Sequence, residues 1–180
     1  MKTEIRTINS LSESETELLH TWMEKEFGRK YIRNFKKYYS SGEARCFLVK
    51  ENGELEAFGI IYPVVADYLG EKYYLFGMGD LLTIHRSRGY GRILMEAIME
   101  YLEKHRKTGL GFCARKNTEF YKKVGLGIKE DFMKRFRYKD PETGKISPTE
   151  NGDGVFYEGD NFIQEILKTD ELIYLDTKLW

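Results

Sequence analysis

The sequence predicts a mixed α/β fold: a central mixed sheet flanked by helices, with an extended strand-and-loop tail toward the C-terminus. Three observations carry that prediction. Two stretches of strand character, residues 44–50 and 55–62, meet through Asn52-Gly53, the strongest short hairpin signal. An apolar, turn-free run over 73–84 precedes a helical stripe of Leu94, Ala97, Ile98, Tyr101 and Leu102. Leu110-Gly111-Phe112-Cys113-Ala114 then reads as a further strand, and strand–helix–strand units of this kind join parallel strands.

Taken in order, residues 4–8 read as the first strand. Ser12 and Glu15 form a capping box that opens a helix carrying Leu18, Leu19, Trp22, Met23 and Phe27, and Gly28 ends it. A second short helix, 31–39, turns Ile32, Phe35 and Tyr38 or Tyr39 toward the core before Ser40-Ser41-Gly42 breaks it. The hairpin follows, its second strand ended by Pro63, and a loop over 64–70 turns at Leu69-Gly70-Glu71 into the central strand. The helix after that strand closes on Lys104, His105 and Arg106 before the Gly109 stop. The tail holds a strand over 132–138, a turn at Asp140-Pro141-Glu142-Thr143-Gly144, a polar loop over 147–154, then Val155 and Phe156, and a last strand over 172–175.

At 180 residues the chain is one domain, 1–180, long enough to bury a core around a sheet. Lysine plus arginine equals aspartate plus glutamate at 29 each, so net charge recruits neither nucleic acid nor membrane. The start, Met1-Lys2-Thr3-Glu4-Ile5-Arg6, lacks the apolar run of a signal peptide, and no stretch is apolar enough to span a bilayer. A cytoplasmic protein is expected. Cys46 and Cys113 share no metal-like spacing and read as small buried hydrophobes, so no metal is expected.

Between the central strand and its helix lies Arg86-Ser87-Arg88-Gly89-Tyr90-Gly91, with Arg92 behind it. Glycine lets the backbone approach a ligand closely, and a helix start offers unpaired N–H groups at a positive dipole end. Arginines in the same turn add charge. Such a turn suits a pyrophosphate.

Arg-x-x-Gly-x-Gly ahead of an amphipathic helix resembles the acetyl-CoA-binding motif of the GNAT N-acetyltransferases, matched by Arg86, Gly89 and Gly91. A register beginning at Arg88 keeps both glycines but places Ile93 at the final small position, so the first is preferred. Further on, Tyr121, Gly125 and Leu126 fall at the Tyr, Gly and Phe places of the family's second signature. The helix before them is about one turn shorter than usual, which displaces Asn117 from the family's Asn. The resemblance implies the acyl-CoA N-acyltransferase fold, with about 128–180 as its variable tail, and acetyl-CoA as cofactor. That tail resembles the aminoglycoside 2′-N-acetyltransferase branch at Pro148, Asp153-Gly154-Val155-Phe156 and Leu179-Trp180. This implies a polyamine, amino sugar or aminoglycoside-like acceptor held by carboxylates, those of Trp180, Asp176 and Asp80 among them.

In the resembling family the cofactor wedges between the central strand and the next. Backbone N–H groups of Leu81, Leu82, Thr83 and Ile84 would hold its pantetheine and polarise the thioester. Arg86, Arg88 and Arg92 would meet phosphate, with backbone N–H groups from Ser87, Gly89, Tyr90 and Gly91. Asn117, Phe120 and Tyr121 complete the expected cofactor set. Tyr121 is also the expected proton donor, since a phenol (pKa ~10) in reach can protonate a thiolate whose conjugate acid is near ~8.5. For the base, Asp80 is the first candidate, a charged residue inside an apolar strand, although it equally suits a turn residue at a bulge. His85 is the second candidate, with a phosphate contact or a solvated loop as its other readings. Two functions compete: an acyltransferase acting on a small amine, as monomer or homodimer, and a catalytically silent CoA-binding module. A protein or peptide amine acetyltransferase of the same fold is a further alternative.

Overall fold

The computed structural model describes residues 1–28, 35–39, 41–149 and 151–178. The chain divides into two compact units: Met1–Tyr62 with Gly79–Ile98, and Pro63–Met78 with the chain from Met99 onward.

In the first unit β1 (Lys2–Thr7) pairs antiparallel with β2 (Arg45–Glu51), from Lys2↔Lys50 to Thr7↔Arg45. Asn52 (φ 52°) and Gly53 (φ 89°) make the predicted tight turn into β3 (Glu54–Tyr68); both positive φ values are what a type I′ turn requires. The predicted capping box opens α1 (Glu13–Phe27): Glu15 N–H donates to the Ser12 hydroxyl at 3.1 Å, and Ser12 N–H to the Glu15 carboxylate at 2.9 Å. Of its five expected core residues, Leu19 and Met23 are buried; Leu18 and Phe27 are exposed and Trp22 is half-buried. The second expected helix is described as α2 (Phe35–Tyr38), followed by a buried Tyr39, while Ile32 and Ser40 lie outside the described residues.

Contrary to expectation, Pro63 does not end β3. The ladder with β2 stops at Ile61, and the ladder with β10 (Ile173–Leu175) begins at Ala66. Pro63 therefore falls between the β2 and β10 ladders, in neither of them. The expected loop over 64–70 is strand as far as Tyr68, then a tight turn at Leu69 (φ 53°) and Gly70 (φ 82°).

From that turn β4 (Glu71–Thr83) leads toward α3 (Tyr90–His105). The predicted return strand, β5 (Gly109–Cys113), runs parallel to β4 through Phe76↔Gly109 and Gly77↔Leu110. Its five residues pair antiparallel with β9 (Asp153–Tyr157), which also pairs β6 (Gly127–Lys129). In the second unit the strand order is β6, β9, β5, β4, β3, β10, then β7 (Phe136–Lys139) and β8 (Ile146–Pro148). Parallel β4–β5 and β10–β7 pairs among antiparallel neighbours make this a mixed sheet.

The tail departs most from the sequence reading. Phe132–Arg135 form a 3-10 turn, and strand begins only at Phe136. That turn aims the buried Arg135 at the carbonyls of Ile166 (2.6 Å) and Glu171 (2.9 Å), of which the first ends α5 (Phe162–Ile166) and has no acceptor role inside the helix. β8 and β9 claim the ends of the expected polar loop over 147–154, so that of its described residues only Thr149, Asn151 and Gly152 lie outside strands. The Asp140 turn forms as expected, its carboxylate accepting from the N–H groups of Glu142 and Thr143. Among the described residues no helix is long and apolar enough to cross a membrane, and no His, Cys, Asp or Glu cluster could hold a metal.

Candidate active site

After Thr83 the chain enters a turn in which Ser87 (φ 65°) and Gly89 (φ 85°) take left-handed backbone conformations. Glycine does so without strain, whereas Ser87 pays a local cost of the sort found at binding turns. A Cβ built on Gly89 would meet nothing within 4 Å, so the backbone there borders open space. The first helical bonds of α3 run from Arg92 and Ile93 N–H to the Gly89 carbonyl, at 3.0 and 3.2 Å. The N–H groups of Tyr90 and Gly91 thus lie outside the helical ladder, at the end where the dipole favours an anion. No acidic residue in the first turn of α3 opposes one. A diphosphate fits this cradle.

Arg86 and Arg88 are exposed in the turn, and Arg92 pairs with Glu96 at 2.7 Å along the helix surface. Tyr90 buries its ring and donates its hydroxyl to Glu51 at 2.5 Å, a bond that also raises its pKa and anchors the helix start. Leu82, Thr83, Ile84 and Arg86 line one cavity of about 210 Å³, walled on the other side by Trp22, Lys25 and Glu26 of α1. Leu81 sends its side chain elsewhere, over Gly59, where an added Cβ would meet it at 2.4 Å.

Asp80 adopts φ 51°, a left-handed conformation inside β4 that costs an L-residue local strain. Its half-buried carboxylate accepts a hydrogen bond from the Tyr39 hydroxyl. The rings of Tyr38 and Tyr62 pack on Tyr39, each at 4.9 Å between centroids. His85 places Nδ1 2.6 Å from the carboxylate of Glu56, which is 6% exposed. The sequence reading gives Tyr39 only a place in the core and Glu56 no role. Glu56 left a signal, a carboxylate among the apolar residues of β3 that must find a partner when buried.

Asn117, Phe120 and Tyr121 belong to the second unit. A 3-10 turn (Arg115–Asn117) runs into α4 (Thr118–Lys123), and Asn117 makes no side-chain cap there. Phe120 is 40% exposed, with its ring edge-on to Tyr121 at 5.1 Å. Tyr121 is half-buried, and burial pushes its phenol up to about 12, with a smaller push from Cys113. Gly125 (φ 95°) ends α4 by donating to the Lys122 carbonyl at 3.0 Å, which explains a glycine four residues after Tyr121.

The tail carboxylates are engaged as follows. Asp153 is buried; the Asp131 N–H and then the Arg115 guanidinium hold its pKa down. Asp176 accepts from the Val65 N–H at 2.9 Å. Leu179 and Trp180 lie outside the described residues.

No curated protein sequence matches the chain. Among solved structures, ElaA of Escherichia coli is similar at TM-score 0.62 and 17% identity, over 88% of this chain and 100% of that one. The GNAT family N-acetyltransferase YhbS of Escherichia coli, solved in complex with CoA, is similar at TM-score 0.60 and 14% identity, over 97% and 89%. The ribosomal-protein-S18-alanine N-acetyltransferase of Escherichia coli gives 0.52 and 17%, over 89% and 99%. At such identities these likenesses show a shared fold, here that of the acyl-CoA N-acyltransferases. The profile described as "Acetyltransferase (GNAT) family" matches residues 9–126, a span that takes in both signatures, from Arg86 and from Tyr121. The chain therefore belongs to the GNAT family, the acetyl-CoA-dependent N-acetyltransferases.

Proposed function

We propose that this acetyltransferase passes the acetyl group directly to the primary amine of a small molecule, with polyamines, amino sugars and aminoglycoside-like compounds as acceptors. Residues 1–180 act as one catalytic domain, in the cytoplasm, as a monomer or homodimer. The observation that carries a catalytic reading is Tyr121. Its hydroxyl has no hydrogen-bond partner among the described residues, and no buried side-chain polar atom among them lacks one. The hydroxyl therefore reaches solvent from a largely covered ring, where a ligand can meet it. A purely structural tyrosine needs no such placement.

When bound, acetyl-CoA supplies a thioester carbonyl that an amine can attack. Backbone N–H groups from Leu81 to Thr83 would hold the pantetheine arm and oppose the charge that grows on the carbonyl oxygen, whereas the Ile84 N–H is taken, donating to the Glu56 carbonyl at 2.8 Å. The turn from Arg86 to Arg92 takes the phosphates, and Asn117 and Phe120 add contacts to the cofactor. A lysine-type amine is mostly protonated near neutral pH, so Asp80 accepts its proton. Tyr121 stays protonated throughout that range, because burial raises its pKa to about 12. It would donate a hydrogen bond to the sulfur as negative charge develops and pass its proton to the thiolate, made more basic by loss of water, while the second proton of the attacking nitrogen would restore the phenol.

Thiol release from acetyl-CoA, followed with diamines, amino sugars, monoamines and a peptide N-terminus, tests this reading. Transfer to small amines supports it. Transfer to the peptide alone would favour the reading suggested by the fold likeness to the S18-alanine enzyme. Cofactor binding without release to any amine would make the chain a silent binding module.

A further inference from the structure

The cavity beside the cofactor strand has one wall that no sequence motif announces. Trp22, Lys25 and Glu26, in the last two turns of α1, close it opposite Leu82, Thr83, Ile84 and Arg86. The Lys25 ammonium stands over the Trp22 ring, 4.4 Å from its centroid, so the cation is held in place by an aromatic face. Glu26 is the penultimate residue of α1, where the negative end of the helix dipole disfavours a carboxylate. What offsets this is Arg86, whose guanidinium donates to it. The cavity thus holds two cations and one anion, beside the backbone of the strand that leads to the diphosphate turn.

We propose that the last turn of α1 is part of the cofactor site: Lys25 is a further diphosphate-binding cation, and Glu26 is a built-in competitor that occupies Arg86 until phosphate displaces it. This rests on the reading that residues 86–91 cradle the diphosphate. A diphosphate carries more charge than a carboxylate and meets the α3 N–H groups as well, so it wins the guanidinium when the cofactor arrives. Glu26 then returns to water. Because the Arg86 and Glu26 side chains are 71% and 41% exposed, their pair is weak, and the exchange costs the cofactor only a small factor in affinity.

The test is calorimetric titration of coenzyme A into the wild type, Glu26→Gln and Lys25→Met, with melting temperatures recorded for each. Methionine keeps most of the lysine stem and removes the charge. Glu26→Gln should bind about two- to five-fold tighter and Lys25→Met about two- to five-fold weaker, the range of an exposed charge pair. Both effects should shrink in high salt. Dephospho-coenzyme A, which lacks the 3′-phosphate, should show the same ratios; their loss would reassign the contact and overturn the diphosphate proposal. Folded variants that bind like the wild type would overturn it as well, leaving the motif reading intact. Wild-type protein that binds no coenzyme A would instead remove the motif reading itself.

Discussion

Replacing Gly89 by valine probes the phosphate turn where its geometry is most demanding. At φ 85° a β-branched residue is strained by roughly 1–2 kcal/mol, which for a chain of this size lowers the melting temperature by about 2–8 °C. Nothing lies within 4 Å of the new Cβ, so the fold has room for the side chain. On the cradle reading, that room is the space in front of the Tyr90 and Gly91 N–H groups. Two hydrogen bonds to a charged group, at about 1.5–3 kcal/mol each, correspond to a loss of about 10²–10⁴ in coenzyme A affinity. In wild-type protein, ligand at about a hundred times Kd adds about 2.7 kcal/mol, a rise of about 5–11 °C in Tm. Gly89→Val should show almost none of that rise under the same conditions. Gly89→Ala, with similar backbone strain but less intrusion, should keep part of it. A folded Gly89→Val protein with the full wild-type shift would refute the cradle.

Tyr121→Phe removes one hydroxyl and should lower kcat by about 10²–10⁴ while leaving coenzyme A affinity nearly intact; full turnover with a slow acceptor, for which chemistry limits the rate, would move the acid role elsewhere. Asp80→Asn should slow transfer at neutral pH, and the gap should narrow as pH nears about 10, where a lysine-type amine sheds its own proton; a constant deficit would contradict the base role. Burial pushes Cys46 up to about 12, so its contribution to stability is complete below its unfolded pKa of about 9 and is lost as pH rises toward 12. The unfolding free energy read from urea titrations should therefore fall above about pH 9, by at most about 1.4 kcal/mol per pH unit from this thiol, with Tyr121 adding in the same direction above about pH 10. Cys46→Ala should flatten the lower part of that decline, and an unchanged profile would exclude the thiol as its source.

Local rules made the front of the chain legible. Asn52-Gly53, the Ser12/Glu15 box and the apolar face of α3 each specify their element within a few residues, and each forms as read. Pro63 does not end β3 because the strand continues onto β10, a partner more than a hundred residues away that no local pattern announces. The tail misled for a related reason. Phe132–Arg135 has strand propensity, but the buried Arg135 must reach the end of α5, and that demand sets the backbone. The candidate site divides in the same way. Its glycine turn and Tyr121 stood out because their spacing is local. Tyr39 beside Asp80, Glu56 behind His85 and the α1 wall arise from contacts 29 to 60 residues apart, which no local pattern encodes.

The most direct measurement of the central claim is mass-spectrometric detection of acetylated amine, paired with thiol release, when purified protein is given acetyl-CoA and a panel of small amines. Saturable, protein-dependent acetylation of at least one small amine, abolished or strongly slowed in Tyr121→Phe, is the predicted result. Protein that is stabilised by coenzyme A yet forms no acetylated product with any amine in the panel would contradict it.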